Sequence, residues 1–183
     1  MKRLSALILT VLLSISLVAC SCVTQADTQG ANVAHCTEND IRALMERNLD
    51  CYTLYYISPA PVTTQQNSDG YLGVDKNFLS DYKTLSDLVT TTYTADKAAE
   101  ILNYPSKETP LYKDVQGNLF VKPDLVEFND YEWSFSEYTV KIDSDKDNKC
   151  TFTLKTEEGS QTYETTGTAV YENGKWLLTD IIH

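Results

Sequence analysis

Histidine is the scarcest chemical resource in this 183-residue chain: there are only two, His35 and His183. A Ser/His or Cys/His hydrolase needs an imidazole held on a rigid element beside its nucleophile. His183 is the last residue, and His35 precedes Cys36 directly, where neighbouring side chains on extended backbone point apart. No C-x-x-C and no H-x-x-x-H spacing occurs, so a zinc site has no framework. Positive charge is also sparse, with 15 Lys and Arg against 26 Asp and Glu. Nucleic-acid binding requires clustered cations, and these are missing. No catalytic residue, metal or cofactor is therefore expected.

One long apolar run is present, near the N-terminus. Lys2 and Arg3 precede the run Leu7 to Leu12, and small residues lead into Cys20. That is the order of an export signal and is too short for a spanning helix. Leu17-Val18-Ala19-Cys20 resembles a bacterial lipoprotein signal, in which the cut falls before the cysteine and its sulfur takes a diacylglycerol. The expected organisation is a signal peptide over 1–19, a polar tether over 20–36 and one domain over 37–183. The mature protein would sit on the outer face of the cytoplasmic membrane, attached by lipid alone. Processing removes two basic residues and no acid, leaving 13 basic and 26 acidic residues, net −13. Such acidity suits a basic partner, and it also serves plain solubility.

With Cys20 given to lipid, Cys22, Cys36, Cys51 and Cys150 are disulfide candidates with three possible pairings. Cys22 with Cys36 and Cys51 with Cys150 is the expected pattern, with four reduced thiols as the alternative.

Helical periodicity comes first along the domain. Thr37 and Asp40 read as a helix start. Ile41, Leu44, Met45, Leu49, Tyr52 and Tyr55/Tyr56 then follow at helical spacing to about residue 55. Pro59 and Pro61 stop it, Thr63 to Gly70 reads as a polar loop, and residues 71–74 as a short strand. Thr84 and Thr94 are expected to cap two more helices, to about Tyr93 and Leu102. From Leu111 the period is two. A hairpin turns at 116–118, and strands are expected over 133–142, 149–157, 161–172 and 175–182, with a bulge near Ser136-Glu137. The fold class is α+β: N-terminal helices packed on a curved antiparallel meander sheet.

Two stretches carry candidate chemistry. Asp143, Asp145 and Asp147 alternate as at the start of a calcium loop, but position six is Asn148 and position twelve is Leu154, so a solvated hairpin turn is the better reading. Asp124, Glu127, Asp130 and Glu132 surround Tyr131 and Trp133. Acid and aromatic mixed in an irregular stretch suit a recognition loop offering an anchor and charge. The plainer alternative is a connection whose Trp133 belongs to the core. A glycosidase would need a sugar cleft between two of these acids. The partner-binding candidates are Asp124, Glu127, Asp130, Tyr131 and Glu132.

The helix ending in Tyr55-Tyr56, the helical pair, the run Pro110-Leu-Tyr-Lys-Asp-Val-Gln-Gly-Asn-Leu-Phe-Val121 and the closing Tyr171-Glu-Asn-Gly-Lys-Trp176 resemble the bacterial DL-endopeptidase inhibitor family over about residues 37–183. The resemblance implies a small exported protein that inhibits a cysteine-dependent cell-wall peptidase. It would do so by occluding the enzyme's basic groove with an acidic surface, without chemistry of its own. The closing motif is also similar to endings in nuclear transport factor 2-like proteins. That likeness implies the alternative, a cone-shaped small-ligand or interaction module.

Overall fold

The computed structural model describes residues 34–126 and 137–183, which fall within one compact unit, Asn32–His183. The expected signal, Cys20, Cys22, Trp133 and four of the five partner-binding candidates lie outside the described residues. The described chain is α+β, with three α-helices and two four-stranded antiparallel sheets.

Helix α1, Glu38–Tyr52, starts on a reciprocal capping box. The Asp40 amide donates to Thr37 Oγ1 at 3.2 Å, and the Thr37 amide donates to Asp40 Oδ2 at 2.9 Å. Two of the otherwise orphaned helix-start donors are thereby satisfied. Ile41, Leu44, Met45, Asn48, Cys51 and Tyr52 form its buried stripe. The helix continues into a π-turn, Thr53–Ile57, closed by the Ser58 amide on the Thr53 carbonyl at 2.8 Å before the prolines halt it.

Strands β1, Val62–Gln66, and β2, Leu72–Val74, come next, so the expected loop at 63–70 is half strand. All five residues of β1 are exposed. It lacks any alternation of apolar and polar side chains and is held by its ladder to β2. Helix α2, Tyr82–Thr92, is capped by Asp81 rather than Thr84, whose amide is the donor to Asp81 Oδ1 at 2.7 Å. Helix α3, Ala95–Leu102, follows Thr94, whose side chain makes no capping bond.

Strands β3, Tyr112–Val115, and β4, Asn118–Val121, form the expected hairpin, with Gln116 and Gly117 at positive φ. They do not join the later meander. Instead β4 pairs with β2, giving a first sheet of order β1-β2-β4-β3. A 3-10 turn, Pro123–Leu125, ends this part.

The second sheet is a simple meander of β5, Thr139–Lys146, β6, Lys149–Glu158, β7, Gln161–Glu172, and β8, Lys175–Leu178. Asp147-Asn148 and Asn173-Gly174 supply consecutive positive φ values, the backbone that two-residue hairpins demand. The first strand begins at Thr139, not 133, and the last ends at Leu178, not 182. The register shift falls between Ile142 and Ser144, where the extra residue is Asp143. Of the bulge expected at Ser136-Glu137, Glu137 precedes the described strand and Ser136 lies outside the described residues.

Cys150, Phe152 and Leu154 alternate inward with Thr151, Thr153 and Lys155 facing out. Helix α1 contacts β5 and β8, while α2 contacts α1, β8 and β3. The helices thus share one continuous core with both sheets. Buried Asn48 ties this core together. Its Nδ2 donates to the Ile182 carbonyl at 2.7 Å, and its Oδ1 accepts from the Ile182 amide at 3.0 Å and the Tyr93 hydroxyl at 2.8 Å.

Candidate functional site

The acid-and-aromatic stretch joins the two sheets, and both its described flanks are fixed. On one side Val126 is buried. On the other, the Arg42 guanidinium lies 5.0 Å from the centre of the Tyr138 ring and donates to the Tyr138 carbonyl at 3.3 Å. Arg42 is on α1, so the helix clamps the point where the chain enters β5. Burial pushes the Tyr138 hydroxyl up, and Arg42 opposes that shift.

Of the five partner-binding candidates only Asp124 is described; it is exposed on the 3-10 turn. Glu127, Asp130, Tyr131 and Glu132 lie outside the described residues. A basic group stands nearby. Lys113 and Lys122 approach the Tyr71 ring at 5.5 and 5.8 Å, and Lys113 pairs with Asp69 at 2.9 Å, holding that carboxyl below its usual range.

The remaining described acids do not gather around one concavity. They occur on all three helices, in both sheets and in the connections. Several are committed to lysines: Lys97 holds Glu100 and Asp180, Lys141 holds Asp143, Lys155 holds Glu157, and Lys83 holds Asp87. Asp40 and Asp81 cap helices. Spread this way, the described charge serves solubility and local structure.

The acids of the calcium-like turn are pulled apart. Asp143 bonds Lys141 and accepts from Thr153 Oγ1 at 2.6 Å, while Asp145 Oδ2 faces His35 Nδ1 at 2.9 Å. Among the described residues no group of three or more His, Cys, Asp or Glu converges as a metal site would require.

His35 and Cys36 are likewise turned to different partners. The imidazole meets Asp145, and the Cys36 amide donates to the same oxygen at 3.2 Å. The Cys36 thiol instead contacts Cys150. Burial pushes Cys36 far above the ordinary thiol range, with Cys150, Asp40 and Asp145 adding to the shift. Burial also raises Cys150, although its bond with Cys36 works the other way. An activated nucleophile needs the opposite, a depressed pKa. His183 stacks on Tyr52, ring centres 5.3 Å apart.

Cys36, Cys51 and Cys150 are free and buried. The expected Cys51–Cys150 pairing does not fit this geometry. Cys36 precedes α1 and Cys51 is in its last turn, the 15-residue helix spanning about 22 Å, and Cys150 lies at the Cys36 end. Cys51 is near Thr92 and Tyr93 instead. Cys22 lies outside the described residues. The burial of Cys36, though not its meeting with Cys150, had one faint signal in the sequence. Cys36 stands just before the cap, where an apolar side chain commonly packs toward the fourth helical residue, here the buried Ile41.

A cleft of about 560 Å³ opens beside Trp176, lined by His35, Asp40, Arg47, Tyr171 and Lys175 among others. Trp176 itself is buried, with Tyr171 at 5.4 Å. Lys175 donates to the Thr90 carbonyl at 3.1 Å. The lining mixes both charges with aromatics, unlike the largely apolar pocket of a small-ligand module. No helix of the described residues is long and apolar enough to cross a membrane. In comparisons with known proteins, no family model matches the chain and no curated protein matches it.

Proposed function

We propose that this protein is an extracytoplasmic lipoprotein, anchored through Cys20, that inhibits a cysteine-dependent peptidoglycan DL-endopeptidase by lying in its active-site groove. The observation that carries this reading is the Asp124–Glu132 stretch. It combines four acids with Tyr131, and its described flanks are secured by buried Val126 and by the Arg42 clamp on Tyr138. An inhibitory segment gains affinity when its ends are already ordered, because less conformational entropy is lost on binding. Acids aimed at a basic groove would speed encounter, and occlusion requires no nucleophile in the inhibitor. The mixed, solvent-open cleft beside Trp176 gives less support to a cone-shaped ligand module.

Digestion of purified peptidoglycan by a panel of DL-endopeptidases, with and without the chain from Cys20 onward, tests the proposal. Cleavage by at least one enzyme falls in proportion to added protein. Undiminished cleavage by every enzyme rejects the reading.

A further inference from the structure

Cys36 and Cys150 are 114 positions apart in sequence, yet Asp145 brings them together. Asp145 is the direct cross-strand partner of Cys150 at the β5–β6 hairpin. The same Asp145 carboxylate holds the Cys36 backbone amide at 3.2 Å and the neighbouring His35 ring at 2.9 Å, laying residues 35–36 across that hairpin. The two thiols meet in this corner, and both belong to the buried core. We infer that Cys36 and Cys150 are a disulfide-forming pair, a covalent site that joins the start of the domain to the second strand of the meander sheet.

The chemistry is thiol–disulfide exchange with a disulfide oxidant such as oxidised glutathione or a protein dithiol oxidase. Cys36 reacts first, because it is 7% exposed beside an exposed histidine while Cys150 is 0% exposed. The Cys36 thiol loses its proton to water and attacks one sulfur of the oxidant, expelling a thiolate and leaving a mixed disulfide. The Cys150 thiol then loses its proton and attacks Cys36 Sγ, forming the internal bond and expelling the second thiolate. Two protons and two electrons leave the protein, and the oxidant becomes two thiols. Burial, with Asp40 and Asp145 facing both thiols, disfavours the thiolates, so exchange is slow while residues 34–36 lie across the hairpin. Once formed, the bond is buried, and reductant reaches it as the chain opens on heating.

The pairing does not depend on anchoring or on inhibition. The test uses the full chain, exported from a bacterium and also purified and treated with oxidised glutathione. Free thiols are alkylated under denaturing conditions before digestion without reductant. The expected product links the peptide bearing Cys36 to the one bearing Cys150, with Cys51 not joined to either. In thermal melts, reductant lowers the Tm of the oxidised chain by about 10 °C. It leaves Cys36→Ser and Cys150→Ser unchanged, a difference that loss of packing in the variants does not imitate. Separate alkylation of Cys36 and Cys150 after oxidation, or linkage of Cys36 to Cys22, overturns the inference.

Discussion

The two sheets of this protein are built by opposite means. The meander of β5 to β8 is made of neighbours in sequence, joined by tight turns, and its central strand β6 alternates buried and outward side chains. The smaller sheet takes β1 and β2 from before the helical pair and β4 and β3 from after it, and its outer strand buries nothing. Local pattern therefore specifies the meander, whereas long-range pairing specifies the smaller sheet. The polar edge of β1 also has a use, since an exposed apolar edge would invite another strand.

Substitutions at comparable positions separate the two designs. The largest effect is expected at Gly167 in the meander, where an added Cβ would lie 2.3 Å from Phe152 Cζ. That ring is fully buried, so Gly167→Ala should cost about 3 kcal/mol, read from the denaturation midpoint. Next comes Tyr112 in the small sheet. Its hydroxyl accepts from the Ala60 amide at 2.9 Å and donates to the Leu54 carbonyl at 3.1 Å. Tyr112→Phe orphans both groups and should cost about 1–2 kcal/mol by the same measurement. Gly73→Ala in β2 is milder: its Cβ would come no nearer than 3.0 Å, to Thr63 Oγ1, with Gln65 next, and both side chains are on the exposed strand β1. A loss below about 1 kcal/mol is expected. A cost at Gly73 equal to that at Gly167 would break the contrast between a packed sheet and a lightly packed one.

The smallest effect lies on α1, which packs on the meander. Partial burial and Glu46 raise the Asp50 carboxyl, so at neutral pH the native state carries a penalty for its charge. Asp50→Asn should stabilise by about 0.3 kcal/mol at pH 7. The gain disappears below about pH 3, where Asp50 is protonated folded and unfolded. Melts at both pH values check this.

The same division explains what the sequence disclosed. Helix α1 was legible because its cap and stripe are local, and Asn173-Gly174 announced its hairpin. Strand β1 was not, because Val62 to Gln66 has no apolar rhythm and its partner supplies the order. The α2 cap was misplaced by three residues, since Asp81 and Thr84 both suit the role and only geometry shows which accepts. The bulge at Asp143 was not legible because ladder register is a property of two strands. At the candidate site, residue types marked the acid-and-aromatic stretch, but the Arg42 clamp joins positions 96 apart and has no local trace. The Cys36–Cys150 contact is hidden for the same reason.

The central claim concerns the connection between the sheets, and charge removal there tests it most directly. Peptidase inhibition by the wild-type chain is compared with that by a variant carrying Asp124→Asn, Glu127→Gln, Asp130→Asn and Glu132→Gln, after melts establish that both are folded. The account predicts a loss of inhibitory potency of about tenfold or more. Equal potency of the two proteins would contradict it.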